Sequence, residues 1–238
     1  GICNIDSDYF GDFGDYGPAD GAFVWPTSLA FDASDNLYLA DDYLHRITVF
    51  DSEGSAVSSW GIKGAGEGEF NGPSGLLCRG ERLLVVDHRN HRIQRFTTEG
   101  DLLDQWGSFG DGDGQFNLPW GITKDAQGYL YVADWRNDRV QKLTPDGRFV
   151  AAYGSSGDGD GQFNRPSSVA VDSDGNIFVT EGHGGGGNRV SKYSSDGRFI
   201  MSWGTTGSGV GEFIVPHTIA LDSQGRVFVG DRMHNRIQ

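Results

Sequence analysis

The phrase Gly-x-Phe-x-x-Pro occurs five times in this chain, at residues 21–26, 68–73, 114–119, 161–166 and 211–216, with spacings of 47, 46, 47 and 50 residues. A fixed period of roughly this length, built from short apolar runs and glycine turns, belongs to solenoids and propellers. It fixes fold class far more tightly than function, because the same architecture carries enzymes, ligand binders and docking modules.

One copy shows what the repeat unit is. After Pro73 come four short apolar runs, Leu76-Leu77-Cys78, Leu83-Leu84-Val85-Val86, Arg92-Ile93-Gln94-Arg95-Phe96 and a last run ending at Trp106, separated by turn residues such as Arg79-Gly80 and Thr98-Glu99-Gly100. Four strands with close turns, once per period, describe a propeller blade. The expected fold is therefore an all-β propeller of four-stranded blades with five blades visible, one domain over 1–238, in repeats 21–67, 68–113, 114–160, 161–210 and 211–238. The N-terminal segment, with Ile2-Cys3-Asn4-Ile5-Asp6 and Phe10-Gly11-Asp12-Phe13-Gly14, reads as the tail of a repeat. Residues 1–20 are expected to complete the last blade with an outer strand, which would leave no open edge. A stretch beyond Gln238 would instead bring a sixth blade.

Two aromatic columns follow the period: Phe23, Phe70, Phe116, Phe163 and Phe213, and then Phe13, Trp60, Trp106, Tyr153 and Trp203, each of the second set followed by glycine. Residues that repeat with the fold are expected to fill space between blades. A charged column, Asp41/Arg46, Asp87/Arg92, Asp134/Arg139, Glu181/Arg189 and Asp231/Arg236, is expected to brace the loop between the second and third strands.

The formal net charge of −14 makes nucleic acid an unexpected partner, since an acidic surface repels phosphates. No apolar run reaches the ~18 residues of a membrane-spanning helix, so no membrane insertion is expected. The first nine residues lack the basic start and apolar stretch of a signal peptide. The two cysteines, Cys3 and Cys78, lie in different repeats and do not define a redox compartment. The expectation is a soluble monomer in an unassigned compartment.

The phrases Val132-Ala133-Asp134 and Asn137-Asp138-Arg139-Val140-Gln141, and again Asp231 with Asn235-Arg236-Ile237-Gln238, resemble the NHL-repeat family. The resemblance extends along nearly the whole chain and implies a β-propeller; the family includes protein-docking and RNA-binding modules as well as a lyase. Blades four and five resemble the peptidyl-hydroxyglycine amidating lyases. In Val215-Pro216-His217-Thr218-Ile219-Ala220-Leu221, His217 stands where that family places a zinc-ligand histidine after proline. The family uses three such Pro-His sites; the other post-proline positions here are Thr27, Ser74, Trp120 and Ser167. His183 stands where the family has a catalytic tyrosine.

Strand alternation puts the post-proline residues and the loops between second and third strands on one face. All six histidines fall there: His45, His88, His91, His183 and His234 in loops, His217 after its proline. Thr27, Ser74, Trp120, Ser167 and His217 are expected to ring the mouth of a central channel as a collar for a small ligand. Tyr43, Trp135 and Arg89 are further expected contact residues, being aromatic and arginine side chains on loops. His217, with His183 or His234, is the candidate metal set, for zinc ahead of calcium; the Asp-Gly-Asp-Gly turns at 111–114 and 158–161 lack the spaced ligands of a calcium loop. His183 lies in the glycine-rich loop 181–188, whose three extra residues account for the 50-residue spacing; it is expected as a surface insertion, or alternatively as a mobile flap over the channel mouth. The first functional expectation is a non-enzymatic scaffold binding a peptide, protein or small molecule on the histidine-rich face. The alternative is a zinc-dependent lyase similar to the amidating enzymes.

Overall fold

The computed structural model describes residues 2–3, 9–11, 13–182 and 187–238. The fold is an all-β propeller arrangement of five blades. The chain divides into two compact units, residues 1–89 with 94–104, and residues 90–93 with 105–238. The first contains blade one (Pro26–Phe31, Leu37–Asp41, Arg46–Phe50, Ala56–Trp60) and most of blade two (Pro73–Cys78, Arg82–Asp87, Arg92–Thr97, Leu102–Trp106). The second contains blade three (Pro119–Lys124, Leu130–Asp134, Arg139–Leu143, Phe149–Tyr153), blade four (Pro166–Val171, Ile177–Glu181, Arg189–Tyr193, Phe199–Trp203) and blade five (Pro216–Leu221, Val227–Asp231, Arg236–Ile237). Strands follow chain order in every sheet.

Blade five has three strands among the described residues. Ile2–Cys3 and Tyr9–Gly11 pair antiparallel with each other, as the third and fourth strands of a blade do. Of residues 1–20, expected to complete the last blade, residues 1, 4–8 and 12 lie outside the described residues, and the described strands of the segment form a two-stranded sheet of their own.

The aromatic columns are packing devices, as their period implies. Phe70, Phe116 and Phe163 are fully buried. Each lies against the glycine that follows an outer-strand aromatic: a Cβ on Gly61, Gly107 or Gly154 would run into the ring of Phe70, Phe116 or Phe163, and all three glycines have positive φ (100°, 100° and 87°). Only glycine meets both demands. The aromatic before it packs under a hairpin turn one blade on, Trp60 under Gly100, Trp106 under Gly147 and Tyr153 under Gly197.

The charged column does more than brace one loop. Asp134 is fully buried and closes a network. It accepts the Asn117 N–H (2.7 Å) from the Gly-x-Phe-x-x-Pro phrase, Asn137 Nδ2 (2.9 Å), Arg139 Nε (2.8 Å) and Gln141 Nε2 (3.0 Å). The rest of the Arg139 guanidinium donates to the carbonyls of Asp111, Gly112 and Gln115, so it ties the incoming connection to the blade. Gln141 completes the tie by accepting Gly114 N–H (3.0 Å) and donating to Gln115 O (2.5 Å). Blade five repeats this with Asp231, Arg236 and Gln238, and in blade two Asp87 and Gln94 repeat its carboxylate–glutamine part.

Two blades depart from the pattern. In blade four both members change together: Glu181 replaces aspartate and Ser191 replaces glutamine, and the longer acid meets the shorter donor at 2.8 Å while still holding Arg189 Nε (2.8 Å). Blade one corrects the expectation of an Asp41–Arg46 pair. Asp41 turns instead to the N–H groups of Val24 (2.6 Å), Trp25 (3.2 Å), Tyr43 (3.0 Å) and Leu44 (2.9 Å). Arg46 keeps its carbonyl ties to Pro18, Ala19 and Ala22, but its Nε is buried without a partner.

The blade-four exchange gives a double-mutant test. Glu181→Asp and Ser191→Gln should each cost ~1–3 kcal/mol in urea denaturation, the first by a lost buried bond and the second by overpacking. The double variant, which restores the blade-three pairing, should recover most of that, with a coupling of ~1–3 kcal/mol; strict additivity would contradict the exchange.

Candidate functional site

In each blade the proline that starts the first strand pairs with the acid that ends the second: Pro26 with Asp41, Pro73 with Asp87, Pro119 with Asp134, Pro166 with Glu181 and Pro216 with Asp231. The post-proline residues and the loops to the third strands therefore share the same end of each sheet, as the alternation implied. Among the described residues three of those loops contain a 3₁₀ turn, His88–Asn90, Trp135–Asn137 and Arg232–His234.

Those loops end in a left-handed residue: His45 (φ 55°), His91 (φ 55°), Asp138 (φ 49°), Asn188 (φ 29°) and Asn235 (φ 51°). Four of their side chains accept the N–H of the residue preceding the next proline. His45 Nδ1 accepts from Gly72 (3.1 Å), His91 Nδ1 from Leu118 (3.0 Å), Asp138 Oδ1 from Arg165 (2.7 Å) and Asn188 Oδ1 from Val215 (2.9 Å). The donors are themselves left-handed, at φ 71°, 55°, 56° and 60°. For Leu, Arg and above all Val this is a strained conformation, disfavoured further before proline. Two of the six histidines thus hold backbone rather than wait for a ligand. The sequence signal was present: each is the residue immediately before the column arginine, and histidine, aspartate and asparagine all offer an acceptor there.

In the first unit Thr27 Oγ1 donates to Pro73 O (2.9 Å) and Ala40 O (3.2 Å), and Ser74 is buried with its hydroxyl 3.5 Å from Val86 O. Arg89 forks onto Asp42 at 2.7 and 3.0 Å, and beside it Tyr43 is 65% exposed. Asp42, Tyr43, His45, Lys63 and Arg89 line an open cleft of ≈ 440 Å³.

In the second unit Ser167 is buried and its hydroxyl meets Pro216 O (3.2 Å) and Thr180 Oγ1 (3.1 Å). The hydroxyls of Thr27 and Ser167 thus link one inner strand to the next. Trp120 and His217, both half-buried, meet edge to face with ring centroids 5.1 Å apart. Nearby in sequence terms, the Trp135 ring lies 4.8 Å from the Arg136 guanidinium and 5.3 Å from that of Arg165, a cationic aromatic cluster on the loops.

Of the expected zinc set, His217 and His234 lie among the described residues. His234 Nδ1 lies 2.8 Å from Asp231, inside the blade-five network. His183 lies outside the described residues. No three His, Cys, Asp or Glu side chains gather as a metal site among the described residues.

With this geometry in hand, comparison places the chain among propellers. An NHL-repeat model matches residues 163–193, within blade four and its approach. No curated protein sequence matches the chain. Virginiamycin B lyase from Staphylococcus aureus is similar in structure, with a TM-score of 0.65 at 15% identity, covering 90% of this chain and 65% of that one. A gluconolactonase from Xanthomonas campestris scores 0.67 at 16% identity, covering 87% and 70%. A chain of the nidogen/laminin complex scores 0.64 at 18% identity, covering 89% and 74%. The chain thus spans about two thirds of the length of the lyase. At these identities the likeness establishes the β-propeller fold, and residues 163–193 are an NHL-like segment within it. Among the described residues no helix is long and apolar enough to cross a membrane.

The His45 bond makes stability acid-sensitive. Burial lowers its pKa below the ordinary value, helped by the Lys63 and Arg89 charges and opposed by Asp42 and Asp41. The neutral ring accepts the Gly72 N–H, so its stabilisation is full above the unfolded pKa of ~6.5 and is lost as pH falls through the lower folded value. His45→Asn keeps an acceptor that tolerates φ > 0 but does not titrate. The variant should lose less stability than the parent in urea midpoints between about pH 7 and 5; equal losses would contradict the assignment.

Proposed function

We propose that this chain is a propeller lyase whose proton-transfer group is His217, with Trp120 as the surface against which the substrate lies. The observation that carries the reading is the Trp120–His217 pair: two half-buried rings in edge contact at 5.1 Å, beside a collar whose hydroxyl at Ser167 is already committed to Pro216 and Thr180. A histidine on the open end of a rigid sheet suits proton abstraction next to an electron-withdrawing group, because its ordinary pKa is near neutral. The propeller lyases of similar structure support the class, and one of them is a histidine-to-alanine variant described as catalytically inactive, in complex with quinupristin. The guanidiniums of Arg136 and Arg165 around Trp135 would favour a substrate that carries or develops negative charge.

Within the class, the resemblance of the Pro216-His217 phrase points to hydroxyglycine-extended peptides, and the similar structures to quinupristin. Incubation with each of the two is the direct assay. The expected outcome is turnover of one of them, reduced ~10²–10⁴-fold in kcat by His217→Gln with the melting temperature unchanged, and a raised KM in Trp120→Ala. Retention of kcat within about tenfold in His217→Gln would overturn the role of His217.

The second reading is the binding scaffold. Tyr43, 65% exposed above the Asp42–Arg89 fork, and Trp135 among its arginines are the kinds of side chain that anchor a peptide or protein. It is preferred if the parent turns over no probe while Trp135→Ala abolishes capture of an acidic peptide.

A further inference from the structure

Blade one lacks one side chain that its siblings possess, and the gap has a definite chemistry. Thr48 pairs with Leu39 across the sheet as Gln141 pairs with Val132 and Ser191 with Val179, so it occupies the glutamine position of the repeat. In blades two, three and five that glutamine makes the same three bonds. Its oxygen accepts the N–H of the first glycine of the phrase, and its nitrogen donates both to the following carbonyl and to the buried aspartate. Blade four compensates through the Glu181–Ser191 exchange. Blade one keeps the short acid, Asp41, and a short donor, and nothing bridges them.

Thr48 is 1% exposed, and its Oγ1 has no partner. It lines a cavity of ≈ 110 Å³ together with Gly21, the residue equivalent to the glycine that donates to glutamine elsewhere. Asp20 and Ala56, Val57, Ser58 and Ser59 of the outer strand form the rest of the wall, and all five are exposed, so the cavity opens to solvent. The volume exceeds that of one water molecule, ~30 Å³. An unsatisfied buried hydroxyl carries a desolvation penalty that a polar occupant removes.

We propose that this cavity is a binding site for a primary carboxamide, entering past the outer strand of blade one to occupy the place of the missing glutamine amide. The carbonyl oxygen would accept from Gly21 N–H and Thr48, and the NH₂ would donate toward Ala22 O, the equivalent of Glu69, Gln115 and Glu212 carbonyls in the other blades. The protein's own three glutamines are the evidence that a carboxamide fits this frame. A carboxylate does not, because it has no proton to give Ala22 O or Asp41, and Asp41 is buried and charge-matched against it. Asparagine or glutamine side chains of a peptide and free small amides share the chemistry.

The test uses propionamide, propionate and the peptides Gly-Gln-Gly and Gly-Glu-Gly with the whole chain, read by amide NMR shifts at Gly21, Ala22 and Thr48. Propionamide should saturate in roughly the millimolar range expected of so small a ligand, and propionate should not shift these signals. Gly-Gln-Gly shifting them where Gly-Glu-Gly does not would identify a peptide side chain as the occupant; propionamide alone doing so would identify a free amide. Thr48→Gln supplies the group from within, so it should abolish the shifts and raise the melting temperature. Thr48→Val, which keeps the volume, should weaken binding at least several-fold. Equal shifts with propionamide and propionate, unchanged binding in Thr48→Gln, or no shift with any probe would overturn the proposal.

Discussion

A buried carboxylate at the end of each blade's second strand is the interaction on which the repeat depends. It is deep, fully desolvated in blades one to five, and expensive unless every lone pair is used. In blade three four donors converge on Asp134, one of them from the Gly-x-Phe-x-x-Pro phrase and one the column arginine. The arginine then spends its remaining N–H groups on carbonyls of the connection that arrives from the previous blade. A glycine-rich loop with little shape of its own is thereby fixed at both ends. The acid is better understood as a geometric anchor than as a source of net stability, since an apolar replacement of similar volume could pack as well but could not orient four separate segments.

The same anchoring organises the open end of the sheets. The phrase held by the acid runs directly into a left-handed residue and then proline, and that strained step is held by the acceptor preceding the arginine of the neighbouring blade. Proline entry and the hydroxyls of Thr27 and Ser167 then tie inner strand to inner strand. In the second unit Trp120 and His217 stand in edge contact, with the Trp135 arginine cluster on the loops. The proposed role of His217 in proton transfer rests on this arrangement, a ring held at the end of rigid strands.

Blade count, strand order and the packing role of both aromatic columns were legible in the sequence, because each repeats five times and sampling noise cancels. The charged column was legible as structure, but its targets were not: nothing in the spacing of Asp41 and Arg46 distinguishes a blade in which they pair from one in which both turn to backbone. Histidine content was the misleading signal. His45 and His91 resemble site residues by type and place, yet they fill a column that Asp138 and Asn188 also fill, and only the shared acceptor chemistry reveals the role. The uncompensated Thr48 is visible in the sequence solely by comparison with Gln94, Gln141 and Gln238, whose partners the fold had to reveal. His217 takes the post-proline position that Thr27, Ser74, Trp120 and Ser167 hold in the other blades, and stands out as the one histidine among them.

The claim that buried carboxylates fix the connecting segments is tested most directly by native-state hydrogen exchange at Asn71, Asn117, Asn164 and Ile214. Their N–H groups lie outside the regular strands and bond to Asp87, Asp134, Glu181 and Asp231. The account predicts protection comparable to that of core amides such as Val85, Val132 and Val179, so that these loop positions open only with the blade itself. Exchange at the rate of an unstructured loop, with the core strands protected, would contradict it.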